Sequence, residues 1–96
     1  MKLISVTKSD RPGKKLMAKF ETDSGRSRTT HFGSAGADDY TKTGDKDQRE
    51  RYRARHSKDL DTDDPTRAGF LSYYILWGPS TNLSQNITEF KRRFHL

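Results

Sequence analysis

The sequence predicts an α+β fold, a three-stranded antiparallel meander followed by three helices, and three observations predict it. Short apolar runs of period two alternate with turn signals over residues 1–33. Segments with helical start and stop signals then cover 45–58, 65–77 and 80–94. The length, 96 residues, suits one domain spanning 1–96, and ten aromatic residues provide material for a small core.

Alternation and turns define the three strands. Turn signals at 11–14 and 23–25 separate the runs, and 29–33 supplies β-branched and aromatic residues for the third strand. Because side chains in a strand alternate between two faces, one face of the meander is predicted to be apolar and the other basic and threonine-rich. The residues predicted on the apolar face are Ile4, Val6, Leu16, Ala18, Phe20 and Phe32.

The first predicted helix, residues 45–58, is too polar to rest on a wide apolar stripe. Its basic residues fall on two sides of a helical wheel. One side carries Arg49, Arg53 and His56, and the roughly opposite side carries Arg51, Arg55 and Lys58. Tyr52 lies between the two sides and, with Leu60, is the expected anchor to the core.

The last two predicted helices are apolar enough to form the core. Asp64 before Pro65 is read as the N-cap of helix 65–77, which carries apolar groups on two faces and is therefore the most buried element. Thr81 is the predicted cap of helix 80–94. Its core-facing stripe is Leu83, Ile87, Phe90 and Phe94, at helical spacing.

Composition excludes several classes of protein. The absence of cysteine excludes a disulfide framework, a thiolate zinc site and a cysteine nucleophile. The longest apolar run, Tyr73–Trp77, is far shorter than a membrane span, and the first residues lack the apolar stretch of a signal peptide. We therefore expect an intracellular protein. The net charge of +6 arises at the two ends of the sequence, which favours an anionic partner.

Short motifs between Lys14 and Phe94 carry a family resemblance. They are Thr30-His31-Phe32-Gly33, Asp39-Tyr40-Thr41, Arg51-Tyr52, Ala54-Arg55-His56, Asp64-Pro65-Thr66, Ala68-Gly69, Leu71-Ser72, Ile75-Leu76-Trp77 and Phe90-Lys91-Arg92-Arg93-Phe94. In them the chain resembles a family of small uncharacterised proteins of large nucleocytoplasmic DNA viruses. The resemblance implies a viral origin and a location in the host cytoplasm or a viral factory, with nuclear entry and packaging in the virion left open. It carries over no catalytic residue, and Arg26-Ser27-Arg28 departs from its pattern. No cofactor is predicted for the chain.

The function predicted first is a non-enzymatic basic module that binds DNA or RNA mainly through phosphates. The candidate nucleic-acid-binding residues are Arg51, Arg55, Lys58, Arg49, Arg53, Lys14, Lys15, Arg26 and Arg28. Since the helical arginines lie on two sides, all four cannot touch one backbone. Arg51 and Arg55 are preferred, while Arg49 and Arg53 are expected to pair with nearby carboxylates.

The alternative is a protein-interaction module, a virion or host-targeting component whose basic face meets an acidic protein surface and which in one version forms a homodimer. It depends on large aromatics that a small core cannot hide entirely, namely Tyr40, Tyr52, Tyr73, Tyr74 and Trp77. Salt dependence of binding to random duplex DNA separates the two interpretations.

Catalysis and metal binding are not predicted. The histidines His31, His56 and His95 lack metal-ligand spacing. A pair of His31 or His56 with Asp38 or Asp39 is the remaining acid–base option, and nothing in the spacing requires it.

Overall fold

The computed structural model describes residues 1–96, and the chain begins with a three-stranded antiparallel sheet in the order β1-β2-β3. The strands are β1 (Lys2–Lys8), β2 (Lys14–Glu21) and β3 (Ser27–Ser34). Leu16 is opposite Phe32, and Ala18 is opposite Thr30. Helices follow the sheet, so the predicted meander and the α+β class are confirmed.

An irregularity in β1 changes which of its residues face the core. The pairing with β2 shifts between Leu3 and Ser5, as a β-bulge does, so Leu3 and Val6 share a face although they are three residues apart. Leu3 is buried, whereas Ile4 is 49% exposed. The prediction that Ile4 faces the core was therefore wrong, because the extra residue reverses the alternation at that point.

The helical part contains more and shorter elements than predicted. They are α1 (Tyr40–Thr43), α2 (Lys46–Arg55), a 3-10 helix (Ser57–Thr62), α3 (Ala68–Leu71) continued by a π-helix (Ser72–Leu76), and α4 (Leu83–Phe94). The polar helix predicted over 45–58 begins after Asp45, whose side chain accepts from the Gln48 amide, and then tightens into the 3-10 helix. None of these helices has both the length and the apolar character that crossing a bilayer requires.

Asp64 does not cap the central helix, contrary to the sequence interpretation. Its Oδ1 accepts hydrogen bonds from the amide and the hydroxyl of Thr66, at 3.0 and 2.6 Å, which closes a local turn. Thr66 is buried, and its carbonyl accepts from the Thr30 hydroxyl of β3 at 2.7 Å. Residues 64–66 therefore dock on the sheet, and the helix starts only after the extended Arg67.

Acid is expected to weaken this turn. The Thr66 hydrogen bonds lower the pKa of Asp64 from its ordinary value of 3.8. A lowered folded-state pKa contributes stability above the unfolded pKa, and that contribution is lost as pH falls through the folded one. Urea unfolding between about pH 2 and 6 checks this: the stability gap between the parent and Asp64→Asn should close at the acid end. A gap independent of pH would contradict it.

The π-helix is built around carbonyls that side chains satisfy. Its wider turn is closed by a 3.0 Å bond from the Trp77 amide to the Ser72 carbonyl. The Ile75 carbonyl accepts from Asn86 Nδ2 at 2.9 Å, and the Tyr73 carbonyl accepts from Arg53 Nη1 at 3.3 Å. Short π-helical segments are rare, and those that occur are often found at functional sites. The spacing of apolar residues in the sequence did not predict a π-helix.

Helix α4 closes the core from the other side. Asn82, rather than the predicted Thr81, is its cap, because the Asn82 side chain accepts from the Gln85 amide. Phe90 is fully buried, while Leu83, Ile87 and Phe94 pack at the edge of the core, so the predicted stripe is confirmed. The buried apolar residues are Leu3, Ala18, Phe20, Phe32, Tyr40, Phe70, Leu71, Ile75, Leu76, Trp77 and Phe90.

Candidate nucleic-acid interface

Two arginines of α2 hold that helix against the end of the π-helix. Arg53 Nη1 donates to the Trp77 carbonyl at 2.7 Å, and its guanidinium lies 4.0 Å from the centre of the Tyr73 ring. Arg49 Nε donates to the Gly78 carbonyl at 2.7 Å. These cations meet carbonyls that a helix end leaves unpaired. Arg49 does pair with Glu50, at 3.2 Å, but Arg53 contacts no carboxylate, unlike the expectation.

The other basic residues of this segment have no such structural contact. Arg51 and Arg55 are exposed one turn apart on α2, and Lys58 is exposed on the following 3-10 helix. None of the three side chains forms a hydrogen bond or an ion pair within the chain. The structure thus separates the helical arginines into the two pairs that the helical wheel distinguished.

A cleft of about 520 Å³ lies between the sheet and α2. One wall comes from the start of β2 and the end of β3, with Lys14, Lys15 and Ser34, together with the acidic loop at 38–39. The opposite wall is the face of α2 that carries Arg55. The π-helix and Trp77 complete the lining. The cleft thus joins candidate residues that are about 40 positions apart in sequence.

Most charges in this cleft are already paired. Lys15 Nζ binds Asp39 Oδ2 at 2.5 Å, and the Asp39 side chain is nearly fully buried. Asp38 Oδ1 forms an ion pair with Lys42 Nζ at 3.6 Å. Lys14 and Arg55 line the cleft without a carboxylate partner. An anion in the cleft would therefore meet two unpaired cations on facing walls.

Three aromatic rings form a stacked column at the same place. The Tyr52 ring lies 4.3 Å from Trp77 and 4.1 Å from His56, measured between centroids, with planes 8° and 22° apart. Burial, and next the Asp59 carboxylate, raise the pKa of Tyr52. His56 Nδ1 lies 3.1 Å from Asp59 Oδ2, so His56 pairs with neither Asp38 nor Asp39. Tyr52 is thus the anchor that the sequence predicted.

The basic hairpin is remote from the cleft. Arg28 is opposite Phe20, and Lys14 is opposite Ser34, six residues away along the same pair of strands. At about 3.3 Å per residue the two positions are roughly 20 Å apart. Arg26 lies in the turn beyond, and Arg28 is close enough to Asp64 to contribute to its lowered pKa. The nine candidate residues therefore do not form one surface.

Sequence reasoning gave His56 no binding role. It treated the histidines singly, although the four-residue spacing of Tyr52 and His56 on a helix stacks their rings. It also expected more exposed aromatic surface than is present. Tyr40 and Trp77 are buried, and the rings of Tyr73 and Tyr74 pack against arginines and phenylalanines.

The fold and the cleft define a small α+β protein with a basic, ring-lined cleft between its sheet and its first long helix. Residues 4–56, which include most of the sheet, the acidic loop and all of α2, match a family model described as Family of unknown function (DUF5754). The chain belongs to this family. No curated protein and no solved structure matches it.

Proposed function

We propose that the protein is a non-enzymatic nucleic-acid-binding module that contacts DNA or RNA mainly through phosphates. The observation that supports this most is how α2 uses its arginines. Arg49 and Arg53 bind backbone carbonyls of the fold, whereas Arg51 and Arg55 are exposed and unpaired. Exposed, unpaired arginines are free to neutralise phosphates and release counterions.

The neighbouring charges fit the same proposal. Lys14 faces the Arg55 side of the cleft, and Lys58 extends the line of cations beyond the end of α2. The chain has a net charge of +6, so the long-range field favours an anionic partner. The Ser34 hydroxyl and the Gly36 amide, which donate no hydrogen bond within the chain, supply neutral donors of the kind that often contact phosphate.

Removing the free pair should flatten the salt dependence of binding. For Arg51→Gln with Arg55→Gln, the plot of log affinity against log salt concentration should lose about 0.9 in slope per contact, for every nucleic-acid sequence alike. Fluorescence anisotropy with one random duplex at several salt concentrations measures this. Thermal melting should hardly change, because exposed residues without partners contribute little stability.

The matched control removes the same charge elsewhere. Lys2→Gln with Lys19→Gln lowers the net charge equally, at exposed positions of the sheet that are not among the candidate residues and do not line the cleft. Its slope should equal that of the parent. Equal slopes in all three proteins, or no binding at low salt, would contradict the proposal. Arg49 and Arg53 are unsuitable controls, because their loss leaves carbonyls unpaired.

Viral origin is part of this proposal and follows from the resemblance. A phosphate-binding module suits a cytoplasmic factory in which viral nucleic acid is concentrated. Immunofluorescence in infected cells tests this: the protein should co-localise with newly made viral DNA and disperse with the Arg51→Gln, Arg55→Gln variant.

A further inference from the structure

The cleft has the size of a site for a small organic group, which contact with phosphates alone does not require. Its volume of about 520 Å³ falls within the range of roughly 300–1,000 Å³ typical of small-molecule sites. Such sites combine apolar and aromatic walls with a few polar groups. Here Tyr52, Leu76 and Trp77 provide an apolar and aromatic part, and the rest of the lining is mainly polar and includes the cations Lys14 and Arg55.

The ring column ends in the cleft. His56 is the last ring of the column, lines the cleft, and keeps 40% of its side-chain surface exposed. Tyr52 covers one face of the imidazole, and no other ring stacks on the opposite face, which is the open end of the column. Asp59 Oδ2 lies 3.1 Å from Nδ1 at the edge of the His56 ring, and this hydrogen bond fixes the orientation of the open face. A flat π-system would continue the stack.

The walls of the cleft are held in place before any ligand arrives. On one side, Lys15 and the buried Asp39 tie the acidic loop to β2. On the other, Arg49 and Arg53 tie α2 to the end of the π-helix. A preformed site loses little conformational freedom on binding, which favours affinity.

From the open ring face and the two unpaired cations, we propose that the cleft binds one unpaired nucleotide of a single strand. Its base stacks on His56, and its phosphate lies between Lys14 and Arg55. The inference depends on the proposed function and deepens it, because a base must leave its duplex to reach the ring. Single strands are therefore the preferred ligand, in DNA or RNA.

The test compares a labelled single strand of about 12 nucleotides with the duplex it forms with its complement, at one low salt concentration. The parent should bind the single strand more tightly. His56→Ala should weaken single-strand binding by about 5- to 150-fold, the range of base–aromatic stacking, and leave duplex binding unchanged. His56→Phe should retain the preference, because phenylalanine supplies a ring. His31→Ala, on a histidine outside the cleft, is the matched control and should behave as the parent.

The possible results distinguish a failure of the nucleotide site from a failure of the proposed phosphate-binding function. Salt-dependent binding that is equal for single strand and duplex overturns the nucleotide site and leaves phosphate contact standing. Loss of the preference in His56→Phe as well as His56→Ala, with melting temperatures equal to the parent, overturns the stacking role. No binding to either probe at low salt overturns both proposals.

Discussion

Replacing Phe90 with alanine should leave the protein largely unfolded at room temperature. Phe90 is 1% exposed and packs between the rings of Tyr74 and Phe94, at centroid distances of 6.1 and 5.0 Å. Removing a buried phenylalanine costs about 3–5 kcal/mol of unfolding free energy, from lost transfer energy and the cavity that remains. At about 0.05 kcal/mol per residue, the low end of the usual range and the end that so polar a composition favours, a chain of 96 residues has a stability of only about 5 kcal/mol.

Thermal melting followed by circular dichroism measures the effect. Phe90→Leu fills most of the space and should lose only about 1 kcal/mol. Ser84→Ala, an exposed position on the same helix, should melt with the parent. If Phe90→Ala melted at the parent temperature, α4 would not close the core as described.

The second large effect is expected at Asn86, a buried polar residue that α4 points at the preceding turn. Asn86 Nδ2 donates to the carbonyls of Ile75 and Ser80, at 2.9 and 2.7 Å, and its Oδ1 accepts from the Ser80 amide at 3.0 Å. Asn86→Ala leaves three backbone groups without partners. The contact with Ile75 is buried and the two with Ser80 are partly buried, so the variant should lose about 2–3 kcal/mol, given about 1–3 kcal/mol for each buried unsatisfied group.

Asn82→Ala is the matched control, since it removes an asparagine from the same helix at an exposed cap. It loses one hydrogen bond, to the Gln85 amide, and should cost about 1 kcal/mol. Urea unfolding of both variants gives the comparison. Equal losses would mean that water enters and replaces the Asn86 contacts.

The same residue connects the core with the cleft. The turn that Asn86 holds follows directly on Leu76 and Trp77, which line the cleft, and it contains Gly78. A β-carbon at Gly78 would lie 2.2 Å from the Tyr74 carbonyl oxygen, so no other residue fits there. A partly folded Asn86 variant should therefore lose nucleic-acid binding together with its ring column.

The strands and the face of α4 followed from local patterns. Alternation and turn residues located β2 and β3 closely, because a strand pairing with its sequence neighbour needs little beyond its own residues. The apolar stripe of α4 that ends in Phe90 and Phe94 was likewise predictable, since the spacing of apolar residues in an amphipathic helix identifies its buried face.

The remaining features needed contacts between distant residues. The sequence predicted Asp64 as a helix cap. In the structure the Asp64 side chain accepts from Thr66 instead, and Thr66 is held on the sheet by the Thr30 hydroxyl. The helical wheel placed Arg49 and Arg53 opposite Arg51 and Arg55, but only the carbonyls of Trp77 and Gly78 decided which pair the fold uses. The sequence by itself determined the sheet, the amphipathic helix and the positive charge, because these depend on residue type and spacing. The cleft and the ring column depended on tertiary structure, because each is made by side chains that meet only when α2 packs on the end of the π-helix, and the π-helix itself depended on side chains of α2 and α4 that bind its carbonyls.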